Sequence, residues 1–252
     1  MNFQQLRENA FTDHMIFEIT MKEVKIYYIN FMTTIRDKDV IDDNLDELLT
    51  FIKSHPNSIF CLLESRQIII NDIPITKDPV AFLQTNLEDK SVVSYKYNKT
   101  KFAMNLILIS DLPLKHGLIK LGPKSSLGQN QRRALYFWVN KVPFIFAHAY
   151  FPKEQNEADI KIKQLEELNK FVRKNGGVAF GDGNLGVFEY ESSVNAVSNG
   201  VNLLTRDWKT FFGSTRDEYA VQNIHNFEEM SPLDFVISNR NDIQVSMIKP
   251  IN

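Results

Sequence analysis

The sequence predicts a layered α/β fold. Three observations lead to this prediction: a strand–helix–strand unit near the N-terminus, a strand-rich middle, and a long amphipathic helix between two apolar strands in the second half. No repeat, low-complexity tract or long Gly/Ser linker divides the 252 residues. We therefore expect one domain over 23–252, with residues 1–22 as an N-terminal extension ahead of the first strand.

The N-terminal unit begins with 24–29, a short β-branched and aromatic run that ends at the polar residue Asn30. Residues 40–54 carry apolar side chains at helical spacing, and a His-Pro pair ends this helix. Residues 59–63 form a continuous apolar run of strand length, followed at once by Glu64. A strand, a helix and a strand in this order predict a right-handed crossover unit.

The rest of the chain divides into further strands and helices. We predict strands over 66–70, 92–97, 102–109, 134–139, 142–147, 178–180 and 233–237, an extended segment over 187–190, and helices over 78–87 and 157–174. The turn Asn140-Lys141 makes 134–139 and 142–147 a hairpin, which ends at His148. Two glycines, Gly176 and Gly177, end the long helix because glycine tolerates positive φ angles.

Composition limits the classes of function. A net charge of −2 gives no global basic signal for nucleic acid, which makes tight, unspecific binding to a duplex less favourable. The single cysteine, Cys61, cannot form an internal disulfide, so nothing indicates an oxidising compartment. The sequence has no secretory signal pattern and no apolar run near the ~20 residues that span a bilayer. We expect no transmembrane segment and a cytoplasmic location where the chain is made; signal-independent export and the oligomeric state stay open.

Several polar residues share one placement, because each ends or interrupts an apolar strand. They are Asn30, Glu64, His148, the pair Asp182 and Asn184, and Asp234. In layered α/β folds the strand ends gather at one rim, where polar side chains converge on a ligand. Carboxylate and amide oxygens suit a hard cation, and a histidine donates a proton near neutral pH. The set therefore indicates metal-assisted phosphate hydrolysis, although each residue taken alone also has an ordinary role in a turn, a loop or the core.

The order of these residues resembles the endonuclease/exonuclease/phosphatase superfamily, which includes DNase I and AP endonucleases. The matching stretches are 25–30, 59–64, 146–152, 181–184 and 233–238. The resemblance covers roughly residues 22 to 240. It implies a DNase I-like fold, in which two packed mixed sheets form a four-layer α-β-β-α sandwich.

The resemblance also implies a role for each matching residue. Glu64 would be the principal ligand of Mg2+ or Mn2+, assisted by Asn30. His148 would act as an acid or contact the phosphate. Asp182 and Asn184 would orient the nucleophile and stabilise the transition state.

Two positions depart from the superfamily's pattern. Gly183 stands where the GD-x-N loop usually has an aromatic or bulky residue. Asp234 matches an acid that normally orients the histidine of a final Ser-Asp-His motif, but no histidine follows it in this sequence. Asp234 would then have no histidine to orient, unless His116 or His225 occupies that position in space.

These observations support two hypotheses. The first is a divalent-metal-dependent phosphoesterase acting on nucleic acid, a phospholipid head group or a small phosphoester. The second is a catalytically degenerate member of the fold that acts as a binding module. A group of basic residues falls in a predicted loop before the strand at 134–139, where it either contacts phosphate or is merely solvated: Lys115, Lys120, Lys124, Arg132 and Arg133.

Overall fold

Two six-stranded mixed sheets form the centre of the computed structural model, which describes residues 16–31, 38–67, 69–97, 104–122, 132–152, 154–206 and 233–248. The first sheet contains β1 (Ile16–Met21), β2 (Val24–Asn30), β3 (Ser58–Ser65), β6 (Ser91–Lys96), β7 (Asn105–Ser110) and β14 (Ile243–Ile248). Its strand order is β14-β1-β2-β3-β7-β6. Between β3 and β6 the chain forms a separate small hairpin from β4 (Ile69–Ile70) and β5 (Ile73–Pro74).

The second sheet is built by the following part of the chain. It contains β8 (His116–Leu121), β9 (Arg132–Val139), β10 (Val142–His148), β11 (Val178–Asp182), β12 (Asn202–Leu203) and β13 (Asp234–Ser238). Its strand order is β12-β13-β11-β10-β9-β8. The predicted hairpin is confirmed as the antiparallel pair β9–β10.

Each sheet has one parallel pair at its centre, and a helix connects the two strands of that pair. Helix α1 (Lys38–Ser54) connects β2 to β3, which confirms the predicted strand–helix–strand unit. Helix α3 (Ala158–Asn175) connects β10 to β11 in the same way. Gly176 ends α3 with a φ of 65°, a left-handed conformation that costs glycine little.

Two shorter helices complete the outer layers. Helix α2 (Pro79–Asn86) begins after Asp78, whose side chain accepts hydrogen bonds from two backbone amides of the first turn. Helix α4 (Tyr190–Ser198) packs beside α3. No helix in the described part of the chain is long and apolar enough to cross a membrane.

The core is divided into three layers by the two sheets. A large cluster lies between the sheets and includes Phe17, Tyr28, Phe146 and Phe180. A second cluster packs the outer face of the first sheet against α1 and α2, and a third packs the second sheet against α3 and α4. The predicted four-layer α-β-β-α sandwich of two packed mixed sheets is therefore confirmed.

The first strand begins earlier than the sequence predicted. β1 lies within residues 1–22, the range predicted to be an extension, and it pairs with both β2 and β14. The described part of this range therefore belongs to the sheet. The polar residue Glu18 interrupts the apolar run, but it is only half-buried and accepts hydrogen bonds from Tyr27 and Lys25.

Three other local predictions need correction. The predicted strand at 66–70 is reduced to Ile69–Ile70, because the chain leaves the first sheet after Ser65. The segment 187–190, predicted as extended, leads directly into α4, which begins at Tyr190. The basic residues at 120, 132 and 133 lie on β8 and β9 and not in a loop, while Lys124 falls outside the described residues.

Candidate functional site

Strand alternation turns four of the predicted site residues into the space between the sheets. On β10 and β11, Phe146 and Phe180 belong to the inter-sheet core. Side chains of a strand repeat with a period of two, so His148 and Asp182 face the same space. The same reasoning places Asn30 beside Tyr28 on β2 and Asp234 beside Val236 on β13. Both sheets therefore contribute polar residues to one rim.

Glu64 reaches this rim through an irregularity in β3. Cys61 and Leu63 face the inter-sheet core, so regular alternation would turn Glu64 to the outer face of the sheet. The pairing of β3 with β7 shifts register between Leu62 and Ser65, and Glu64 has a φ of 56°. A bulge of this kind changes the direction of a side chain. The bulge thus brings Glu64 to the other acids.

Glu64, His148 and Asp182 form a compact buried cluster. One potential ligand atom from each of the three lies within 4.8 Å of the others. The His148 Nε2 atom is 3.2 Å from Glu64 Oε1 and 3.7 Å from Asp182 Oδ2. The three residues are only 7, 6 and 3% exposed. Two carboxylates so deeply buried require a compensating positive charge, so this donor set fits a divalent cation.

Asp182 is held in place through both of its carboxylate oxygens. The side-chain amide of Asn30 donates to Oδ2 at 3.3 Å, and the backbone N–H of Asn184 donates to Oδ1 at 2.8 Å. Asn184 is itself fixed, because its side-chain amide donates to the carbonyl of Ala149 at 3.1 Å. The structure therefore brings Asn30, Asp182 and Asn184 together, beside Glu64 and His148.

The loop that contains Gly183 is closely packed. The backbone N–H of Gly183 donates to the carbonyl of Leu233 at 2.9 Å. A Cβ atom added at Gly183 would lie 2.9 Å from side-chain atoms of both Leu185 and Phe235. These two side chains fill the space next to the loop, so a bulky residue at position 183 would need them to move.

Asp234 lies directly opposite Asp182 in the pairing of β11 with β13. The hydroxyl of Tyr28, on the other sheet, donates to Asp234 Oδ1 at 2.6 Å. Burial raises the pKa of Tyr28 well above its usual value, and the negative charges of Asp234, Asp182 and Glu64 raise it further. The phenol therefore stays protonated and remains a hydrogen-bond donor. His116 lies at the start of β8 with its ring 5.9 Å from that of Tyr95, and His225 falls outside the described residues.

Lys161, a residue the sequence did not single out, supports the loop after β11. It is fully buried on α3, and its ammonium group donates to the backbone carbonyls of Asn184, Val187 and Phe188. Burial lowers the pKa of Lys161 to about 7, although the charges of Glu189 and Asp182 act in the opposite direction. One helix residue thus fixes the backbone of the loop that carries Asn184.

The sequence contains a signal for Tyr28 but none for Lys161. Tyr28 precedes Asn30 by two residues on a strand, so the two side chains share a face. Lys161 stands next to the apolar positions of an amphipathic helix, a placement typical of solvated lysines. Its burial depends on a loop that is distant in the sequence, since its hydrogen-bond partner Phe188 follows it by 27 residues.

Comparison with known proteins gives similarity in structure alone. No protein-family model matches the sequence, and no curated protein matches it. The chain is similar to the 3′ phosphatase NExo from Neisseria bound to a product DNA hairpin, with 14% identity, a TM-score of 0.55 and 87% of each chain covered. It is similar to an AP endonuclease from Archaeoglobus fulgidus, with 14% identity, a TM-score of 0.51 and 86% of each chain covered.

A third similar structure is an endonuclease/exonuclease/phosphatase family protein from Leptotrichia buccalis. It shares 14% identity with the chain at a TM-score of 0.54, covering 85% of this chain and 87% of that one. All three alignments extend over most of both chains. The chain therefore has the DNase I-like fold of the endonuclease/exonuclease/phosphatase superfamily.

Proposed function

We propose that the chain is a divalent-metal-dependent phosphoesterase whose active site is the rim between the two sheets. The observation that carries this proposal is the buried cluster of Glu64, His148 and Asp182, whose ligand atoms lie within 4.8 Å of one another. An arrangement of two carboxylates and an imidazole, with amide groups beside them, is typical of a metal site that performs hydrolysis. The proteins of similar structure include a phosphatase and an endonuclease.

The metal would be held by residues from both sheets. Glu64 and Asp182 offer carboxylate oxygens, and Asn30 offers an amide oxygen next to them. Mg2+ and Mn2+ both accept oxygen ligands, so the His148 imidazole is assigned to proton transfer and not to the metal. A bound ion would supply positive charge to the phosphate oxygens and to the leaving group. We propose Mg2+ or Mn2+ as the cofactor.

The protein's own residues would divide the proton transfers between them. Asp182, oriented by Asn30 and by the backbone of Asn184, would accept a proton from the attacking water. His148 would donate a proton to the oxygen of the leaving group. The side chain of Asn184 would lie beside the phosphate as the water–phosphorus bond forms and the ester bond breaks.

We propose a nucleic-acid phosphoester as the first substrate class to test. The support is the similarity to a phosphatase bound to a DNA hairpin and to an AP endonuclease. A net charge of −2 favours recognition of a strand end or a single strand over unspecific binding along a duplex. Phospholipid head groups and small phosphoesters form the remaining classes of the screen.

The test is a hydrolysis screen in Mg2+ and Mn2+ with wild-type protein, Glu64→Gln and Glu18→Gln. Glu18 is a matched control because it is a partly buried glutamate on β1 of the first sheet, where it accepts hydrogen bonds from Tyr27 and Lys25. We expect turnover that Glu64→Gln lowers at least about 100-fold and Glu18→Gln leaves unchanged. Equal turnover by the Glu64→Gln variant would falsify the proposed site.

A second candidate function is a non-catalytic binding module of the same fold. The observation that favours it is the hydrogen bond from Tyr28 to Asp234, because this phenol occupies an oxygen of the acid that the superfamily pairs with a histidine. This alternative predicts a folded protein that hydrolyses no phosphoester in either metal. Metal-dependent turnover lost in Glu64→Gln contradicts it.

A further inference from the structure

Lys161 is a fully buried cation behind the loop that follows β11, and the proposed proton transfers do not use it. Its Nζ atom lies 3.0 Å from the carbonyl oxygen of Asn184 and 2.8 Å from that of Phe188, and it also donates to the carbonyl of Val187. An ammonium group has three N–H donors, so these three carbonyls use all of them. All three partners are backbone groups of one loop.

This loop contains three non-glycine residues in the left-handed region. The φ angles of Asn184, Phe188 and Glu189 are 49°, 48° and 50°. Such a conformation is unfavourable for residues with a Cβ atom and persists only where the surrounding structure imposes it. Asn184 and Phe188 are two of the residues whose carbonyls accept from Lys161. The ammonium group is therefore one of the contacts that hold the loop in its strained conformation.

The strained loop in turn orients the acid that would act as the base. The backbone N–H of Asn184 donates to Asp182 Oδ1 at 2.8 Å, and the side-chain amide of Asn184 donates to the carbonyl of Ala149 at 3.1 Å. The carbonyl that accepts from Lys161 belongs to this same Asn184. A rotation of the backbone at Asn184 would therefore disturb all three hydrogen bonds together.

Only the charged form of Lys161 satisfies all three carbonyls. A neutral amine has two N–H donors and a lone pair, so one carbonyl would lose its donor and face another acceptor. The charges that act on Lys161 are those of Glu189, in the loop, and Asp182, on β11, and both favour the ammonium form. Burial favours the neutral form more strongly and lowers the pKa of Lys161 to about 7. Both forms are therefore populated near neutral pH.

We propose that Lys161 is a positioning residue for the proposed hydrolysis, whose ammonium form holds Asn184, and through it Asp182, in the geometry that the chemistry needs. This inference rests on the proposed function. Lys161 touches neither substrate nor metal and acts only through the loop. Because the charged form makes the contacts, the orientation of Asp182 weakens as the pH rises and the lysine releases its proton.

NMR of the metal-free protein tests the coupling without requiring turnover. The proteins are wild type, Lys161→Met, Lys161→Arg and Lys163→Met, each shown to be folded by thermal unfolding. Lys163 is the matched control, since it is an exposed lysine on the same helix. In EDTA, between pH 6 and pH 9, the measured signals are the carbonyl 13C resonances of Val187 and Phe188 and the backbone amide resonance of Asn184.

We expect the two carbonyl resonances of wild type and Lys163→Met to change with a midpoint near pH 7. Lys161→Met and Lys161→Arg should lack this transition, because neither side chain changes its charge in this range. At pH 6 the amide resonance of Asn184 should differ between wild type and Lys161→Met. Carbonyl resonances that titrate equally in wild type and Lys161→Met, or in neither, overturn the inference, as does an unchanged Asn184 amide. Lys161→Met alone decides if Lys161→Arg is not folded.

If turnover is found, the kinetic constants separate a positioning role from a merely structural one. At pH 6, Lys161→Met should lower kcat at least about tenfold and change KM less than about twofold, because the lysine touches no substrate. A folded Lys161→Arg should restore most of kcat. The ratio of wild-type kcat to that of Lys161→Arg should fall between pH 6 and pH 9, since only the arginine keeps its charge. A raised KM with unchanged kcat, or a constant ratio, contradicts the role.

These results are distinguishable from failure of the proposed function. A loop whose resonances follow Lys161, in a protein that hydrolyses no phosphoester, retains the coupling of Lys161 to Asn184 and removes the phosphoesterase proposal. Turnover that is lost in Glu64→Gln but equal in wild type and Lys161→Met retains the phosphoesterase and removes the positioning role.

Discussion

The stability of the protein should depend on pH through Lys161. Its pKa is lowered to about 7 by burial, compared with 10.5 for an ordinary lysine. Between these two pH values the unfolded chain holds a proton that the folded chain has released. The free energy of unfolding therefore rises with pH across this range, and below pH 7 the cost of keeping the buried ammonium charged is fully present.

The magnitude follows from the size of the pKa shift. Each unit of pKa difference corresponds to about 1.4 kcal/mol. Allowing for partial titration at pH 7, the change from pH 7 to pH 9 contributes about 2 kcal/mol to the free energy of unfolding. The nearby charges of Glu189 and Asp182 are already part of this pKa.

The assay is urea unfolding at pH 7 and pH 9, in EDTA, of wild type, Lys161→Met and Lys163→Met. Methionine fills the space of the lysine stem but carries no proton, so other titrating groups cancel in the comparison. Lys163 is an exposed lysine on the same helix and serves as the control. We expect wild type and Lys163→Met to gain about 2 kcal/mol relative to Lys161→Met between the two pH values. Parallel pH profiles for all three proteins refute the lowered pKa.

Two further substitutions, each compared with a control substitution, test the packing of the rim. Tyr28→Phe removes the buried hydrogen bond to Asp234 and should lower the free energy of unfolding by about 1–3 kcal/mol. Tyr27→Phe should cost less in the same urea assay, because Tyr27 bonds a carboxylate that water partly reaches; equal losses contradict this reasoning. A Cβ at Gly181 would lie 2.0 Å from the carbonyl oxygen of Ala147, so Gly181→Ala should destabilise β10–β11 by at least about 2 kcal/mol. Gly176→Ala, with open space around it, should cost only about 1 kcal/mol, and thermal unfolding of the pair checks the order.

Local patterns were sufficient to predict most of the strands and the polar residues at their ends. His148 and Asp182 stand at the ends of apolar strands. Because side chains of a strand repeat with a period of two, their positions also predict which face of the sheet they lie on. β1 and β14 were missed because charged or polar residues interrupt them, although pairing with a neighbour satisfies their backbones. The alternating apolar residues of one face, Phe17, Ile19 and Met21 in β1 and Ile243 and Val245 in β14, were nevertheless a signal for a strand.

The geometry of the site could not be read from the sequence alone. The direction of Glu64 depends on a bulge set by the pairing of β3 with β7, and alternation alone would have placed it on the wrong face. Arg132 belonged to a basic run that resembles a solvated loop, yet it is stacked against Tyr97 and Tyr150. In both cases the decisive contact joins residues that are distant in the chain, so no local pattern records it.

The position of β14 has a consequence for synthesis of the protein on the ribosome. This strand follows every strand of the second sheet, yet it returns to pair with β1 at the edge of the first. The first sheet therefore emerges with β1 as an open edge, a surface prone to pairing with other nascent chains. Asp234 also emerges after the other polar residues of the rim, so a chain translated only as far as the second sheet's β12 lacks this acid and the strand that closes the first sheet.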